Sequence, residues 1–143
     1  MTARLPAGPR RIVVIGAGVI GAAVAARAAE RGSDVVLLSA EAAGSTAASR
    51  ASFAWVNAHG KAPESYRRLN EQALRRHVEL SGRHPSPWFV ATGAEVDGVV
   101  HPDEGYVDTH AYLAAQLDAL AAAGGNVRTA ARAESLDEVR RLH

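Results

Sequence analysis

Three glycines constrain the front of this chain more than anything else in it. Gly16, Gly18 and Gly21 stand at G-x-G-x-x-G spacing in "RIVVIGAGVIG", directly after a β-branched run and directly before an Ala-rich one. That order predicts strand, tight turn and helix. Gly16 permits the turn, Gly18 leaves no Cβ in the path of an approaching group, and Gly21 lets helix and strand pack closely. The first N–H groups of the helix then point outward at the positive end of its dipole. The stretch Gly16, Ala17, Gly18, Val19, Ile20 and Gly21 is therefore suited to a pyrophosphate. Gly32 is expected to stop the helix, and "DVVLLS" supplies a second buried strand, giving a βαβ unit with a parallel sheet.

A rival reading treats Arg10-Arg11 and the uncharged run Ile12–Ala26 as the front of a twin-arginine export signal. A signal places no structural demand on the residues after it. Here the next twenty residues complete a nucleotide fold, and losing the run would remove what is expected to be the central strand. The run also falls short of the roughly 18 apolar residues a membrane span needs, so the protein is expected to be soluble. Sixteen Lys+Arg against 15 Asp+Glu leave +1, which offers no nucleic-acid or membrane surface. The absence of cysteine excludes disulfides and thiolate metal sites and fits a reducing cytoplasm. At 143 residues and 48% hydrophobic content, one core and one domain are the default.

Along the rest of the chain, residues 1–10 read as a disordered lead-in, 11–60 as the nucleotide-binding βαβ unit with its loop, and 61–143 as helix, partial strands and further elements. "EAAGSTAASRAS" is small and polar, a long functional loop. A helix is predicted from Pro63 to about Ser81, with Tyr66, Leu69, Ala73, His77 and Leu80 on one face and the pairs Glu64/Arg68 and Glu71/Arg75 outside. "WFVATGAEVDGVV" reads as strand, turn and strand around Gly93 and Asp97-Gly98. Asp108 is the expected N-cap of a helix through Ala123 ended by Gly124-Gly125, "NVRTAARA" is a further strand, and "SLDE" at Ser135–Glu138 is a capping box. The six histidines (59, 77, 84, 101, 110 and 143) show no metal-ligand spacing, and no metal is expected.

The acidic residue that holds the adenine ribose is expected at the end of the second strand. Ser39 stands there, uncharged, with Glu41 two residues on; either is a candidate. No Arg adjoins Ser39, which disfavours a 2′-phosphate.

Taken in order, "RIVVIGAGVIGAAVAARAAERGSDVVLLS", "GSTAASRAS", "TGAEV" and "EGYVDTHAYLAAQLDALAAAGGNVRTAARAESL" resemble the N-terminal part of the FAD-dependent D-amino acid oxidase superfamily, glycine and sarcosine oxidases among them. The resemblance runs from Arg11 over nearly the whole chain. It implies an α/β fold: a Rossmann-like FAD-binding βαβ unit followed by the start of a smaller α+β substrate region. It also implies non-covalent FAD and a small amino acid or amine as substrate, oxidised at its C–N bond. By likeness to the loop that runs along the pyrophosphate, Ser45, Thr46, Ser49, Arg50 and Ser52 become FAD contacts; hydroxyls and an Arg beside a phosphate turn are also the donors an anion needs. Trp55 and Asn57, just past that loop, could approach the ring. Members of the superfamily run to well over twice this length, so the chain is expected to be a fragment that self-associates or takes a partner chain, and no catalytic residue is assigned. The alternatives are an NAD(P)-dependent dehydrogenase domain, which would not need the Ser-rich loop, and a non-catalytic nucleotide-binding module.

Overall fold

The computed structural model describes residues 10–41, 48 and 51–141. In chain order the elements are β1 (Arg11–Ile15), α1 (Val19–Glu30), β2 (Asp34–Leu38), β3 (Trp55–Val56), α2 (Glu64–Gly82), β4 (Phe89–Ala91), β5 (Ala94–Val96), β6 (Val99–His101), β7 (Gly105–Val107), α3 (Thr109–Ala122), β8 (Asn126–Arg128) and α4 (Leu136–Arg141). The chain divides into two compact units, Met1–Thr46 with Gln116–His143, and Ala47–Ala115.

In the first unit β1, β2 and β8 form a sheet in the order β1-β2-β8, parallel throughout, with Ile12 opposite Val35 and Leu37 opposite Val127. The Ala-rich segment forms α1 as expected, and its Ala22, Ala25, Ala26 and Ala29 are buried at the i, i+3, i+4, i+7 spacing of one helix face. Such small side chains let the helix axis lie close to the sheet. Val35, Leu37 and Leu38 of β2, together with Leu120 of α3, are almost wholly buried, and each of these leucines contributes about 1.5–3 kcal/mol of transfer free energy. Gly32, at φ +81°, ends α1 as expected: its N–H donates to the Ala29 carbonyl and the N–H of Ser33 to that of Ala28.

One expectation fails here. Among the described residues β1 is not the central strand of its sheet: its residues are half-buried or exposed, and β2 lies between β1 and β8. A β-branched run signals a strand without fixing its rank in the sheet, which the pairing of β8 from far along the chain decides. "NVRTAARA" likewise keeps strand form only at Asn126–Arg128.

In the second unit β7 runs between β3 and β4, antiparallel to both, while β5 and β6 form a separate hairpin. Asp97 (φ +53°) and Gly98 (φ +77°) make the expected two-residue turn with both central residues left-handed. The core gathers Trp88, Val107 and Ala115, with Val56, Leu80, Phe89, Ala111 and Tyr112 against them; Trp88 and Tyr112 meet edge to face at 5.4 Å. Asp108 Oδ1 accepts the N–H groups of His110 and Ala111 and so caps α3, as its position predicted.

The inward face of α2 differs from the expected one. Leu74 and Ser81 are buried, while Tyr66 and Leu69 are 46% and 60% exposed. Ser81 is the reason: its Oγ accepts the N–H groups of both Trp88 and Phe89 at 2.8 Å, so a hydroxyl, not an apolar side chain, sets the rotation of the helix end. Glu64 pairs with Arg68 as expected, whereas Glu71 pairs with Arg67. Among the described residues no helix is long and apolar enough to cross a membrane.

His77 lies half-buried on α2, its ring 5.6 Å from that of Tyr112, and burial pushes its pKa below the ordinary value. Below about pH 6.5 the unfolded chain therefore takes up a proton that the folded chain resists, and stability falls as pH drops through the folded value. Denaturant midpoints at about pH 7.5 and about pH 5.5, above and below the ordinary imidazole value, are expected to differ less in His77→Leu than in the wild type. An equal difference in both proteins would show that His77 is not responsible.

Candidate functional site

The glycine turn is built as its spacing predicts, and the three glycines serve different ends. Gly16 sits at φ +101°, a conformation that side chains rarely adopt. Gly21 is required by contact: a Cβ there would lie 1.9 Å from the carbonyl oxygen of Gly16. Gly18 has φ −82° and ψ −179°, ordinary extended backbone open to any residue, and it is the N-cap of α1. Its carbonyl accepts the N–H of Ala22, and among the described residues no side chain caps the helix. The first turn holds no acidic residue either, so nothing on the helix itself neutralises its positive end.

The turn is tied to the end of β2, because the N–H of Gly16 donates to the Leu38 carbonyl at 2.8 Å. Ser39 and the turn thus stand together at the C-terminal edge of the parallel strands, where nucleotides bind in doubly wound folds. Ser39 is only 4% exposed. Its N–H donates to Arg128 and its carbonyl accepts from Ala131, both at 2.9 Å. Glu41 is exposed. Ala17 is buried beneath the turn, whereas Ile20, on the first turn of α1, is 78% exposed.

Of the loop candidates, Ser45, Thr46, Ser49 and Arg50 lie outside the described residues. Ser52 is exposed, and its Oγ accepts the N–H of Ala54 at 3.0 Å. Trp55 opens β3 opposite Tyr106, is 44% exposed, and has its ring 5.6 Å from that of His59. Asn57 is half-buried.

Glu104 is not among the residues singled out from the sequence. This residue is 3% exposed, and its Oε1 accepts the N–H groups of Ala58 and His59 at 3.0 and 3.2 Å. The ring Nδ1 of His59 lies 2.8 and 2.9 Å from its two oxygens. Burial pushes the Glu104 carboxyl up, but the N–H of Ala58, the His59 ring and the N–H of His59 together outweigh it and hold the group below the usual carboxylate range. The one available signal was the turn His101-Pro102-Asp103-Glu104, closed by the Glu104 N–H on the His101 carbonyl, with proline at a favoured position.

The family model for DAO, described as FAD dependent oxidoreductase, matches residues 11–94. No curated protein matches the chain. Among solved structures, glycine oxidase from Bacillus cereus ATCC 14579 is similar at 17% identity and a TM-score of 0.71, over 86% of this chain and 48% of that one. Glycine oxidase from Geobacillus kaustophilus matches at 18% identity and 0.70, over 85% of this chain and 47% of that one. L-proline dehydrogenase from P. horikoshii matches at 16% and 0.67, over 88% and 45%. The chain therefore spans about half the length of these structures, and they share its fold. With more than half of its residues under the family model, the chain belongs to the DAO family of FAD dependent oxidoreductases.

Proposed function

We propose that the chain binds FAD non-covalently through the Gly16–Gly21 turn and forms the cofactor-binding part of an oxidoreductase that acts on amino acids or amines. The observation that carries this is the uncapped N-terminus of α1 behind Gly18, a glycine that the local backbone does not require. A helix N-terminus with no side chain on its N-cap and no acidic residue in its first turn suits a pyrophosphate, so the residues fit the cofactor of the family. When bound, FAD supplies the hydride acceptor for oxidation of a C–N bond to an imine, which water hydrolyses. The residues of this chain bind and orient; Ser45, Thr46, Ser49, Arg50 and Ser52 are assigned to the pyrophosphate side of the cofactor. Similarity to enzymes named glycine oxidase and L-proline dehydrogenase supports a small amino acid as substrate. The lack of cysteine supports the cytoplasm as its compartment.

Gly18→Val is expected to leave the fold intact, since φ −82° suits valine, and to remove FAD binding. Each hydrogen bond lost to a charged acceptor costs about 1.5–3 kcal/mol, roughly 10- to 150-fold in affinity. Fluorescence titration of both proteins checks this, and equal FAD affinity would sink the assignment. Preferential binding of NADH by the wild type would favour a dehydrogenase domain instead.

For the ribose we assign Glu41, because Ser39 is buried under the backbone of residues 128–131 while Glu41 is exposed. Glu41→Ala should then weaken FAD by about 1.5–3 kcal/mol, and Ser39→Ala by no more than a neutral bond, about 0.5–1.5 kcal/mol. The reverse order would return the ribose to Ser39, and two negligible effects would exclude both residues from the role.

Ile15, Ile20 and Val24 are 56%, 78% and 53% exposed, and Ile20 and Val24 share a face of α1. This apolar surface supports self-association or a partner chain as the source of further walls around the cofactor. With FAD added, residues 1–143 alone are expected to show no sustained hydrogen peroxide production or dye reduction over glycine, sarcosine, proline and D-amino acids. Steady turnover by a monodisperse monomer would overturn this.

A further inference from the structure

The second unit holds a cavity of about 710 Å³ lined, among others, by His59, His101 and Glu104. Each of these three residues offers one ligand atom within 4.8 Å of the other two. They come from two places: His59 from the segment after β3, and His101 and Glu104 from the two ends of the turn between β6 and β7. The His59 and His101 rings stack at 4.3 Å with their planes 21° apart.

We propose that His59, His101 and Glu104 form a binding site for one divalent transition-metal ion of the zinc class. Two imidazoles and a carboxylate are a donor set that such ions favour over calcium or magnesium, and three protein ligands leave one position open to the cavity. The carboxylate is already positioned, because the N–H groups of Ala58 and His59 both hold Oε1. Among the described residues Oε2 meets only His59 Nδ1, at 2.9 Å. Ligand atoms around a tetrahedral zinc with bonds of about 2.0–2.1 Å lie roughly 3.3 Å apart, so the His59–Glu104 pair is nearly at that spacing. The ion takes the place of the direct contact between the two. His101, at the end of β6 on the cavity wall, closes the remaining distance by turning its ring, which stacks on that of His59.

Of the carboxylates on the cavity walls, Glu71 pairs with Arg67 and Glu79 with Arg76 and Arg83, which leaves Asp103 and Glu104 as those without an arginine ion pair among the described residues. A bare clasp, in which Glu104 only fastens the 58–59 backbone, accounts for Oε1 but not for a second histidine brought alongside the first. The site lies wholly within the second unit and does not depend on FAD.

The test uses the full chain freed of metal by chelation and titrated with Co²⁺, then with Zn²⁺ in competition. The expected result is about one ion per chain with the visible bands of four-coordinate cobalt, displaced by zinc. His101→Ala, which removes no side-chain hydrogen bond among the described residues, should weaken binding at least tenfold, and His59→Ala and Glu104→Gln likewise. His110→Ala, an exposed histidine outside the cluster, should leave it unchanged. Absence of saturable binding by the folded wild type, or binding that His101→Ala leaves unaltered, would overturn the proposal.

Discussion

The first unit depends on one contact between two backbone segments. The carbonyl oxygen of Gly16 occupies the space where a side chain at position 21 would begin, 1.9 Å from an ideal Cβ. Helix α1 can therefore lie directly against the turn that launches it, and no residue but glycine at 21 lets it do so. The consequences run outward. The same turn presents the Gly16 N–H to the Leu38 carbonyl, which locks the end of β2 beside the start of α1. The alanine face of α1 then closes on the sheet without large side chains between, and β2 is buried at Val35 and Leu37 on one face and at Leu38 on the other.

The second unit is held by a charge rather than by a close backbone approach. Glu104 is buried, and an isolated buried carboxylate would be strongly disfavoured. It remains because two backbone N–H groups and an imidazole surround it. The fastening is reciprocal: the chain after β3, which has only two residues in strand form, is held by the side chain of a residue 45 and 46 positions further on. Ser81 plays a similar part at the other end of the unit, where one hydroxyl anchors the entry to β4.

These two modes of fastening explain which features could be read from the sequence. The glycine turn, the Asp97-Gly98 hairpin, the Asp108 cap and the Gly32 stop all arise from residues within a few positions of one another, where local sterics and hydrogen bonding decide the outcome. All four appear where their residues predict them. Ser135 behaves the same way, its Oγ accepting the Glu138 N–H at 3.2 Å. What could not be read depends on distant partners. The rank of β1 is set by β8, the rotation of α2 by Ser81 reaching Trp88 and Phe89, and the cluster at Glu104 by a segment far away in the chain. Apolar periodicity misplaced the α2 face because it scores Tyr66 and Leu69 as inward and gives no weight to a serine that is wanted inside for its hydroxyl. Of the candidate site, the turn and the end of β2 were legible for the same local reasons, while the rest of the loop is assigned by family likeness.

The three glycines of the turn also separate architecture from function in a way their spacing alone does not. Gly16 is explained by its φ and Gly21 by the carbonyl beside it, so both would be needed in a protein that bound nothing. Gly18 has no such explanation in its backbone conformation: φ −82° is open to any residue, and at an N-cap a serine, threonine or aspartate would satisfy a helix N–H and stabilise α1 by roughly a few tenths of a kcal/mol over glycine. A position that forgoes that stabilisation, in a helix whose first turn also lacks any acidic residue, is consistent with the proposal that an anion meets the start of α1. Under that proposal, membership of an FAD dependent family makes the anion a pyrophosphate, an identity that the fold alone leaves open.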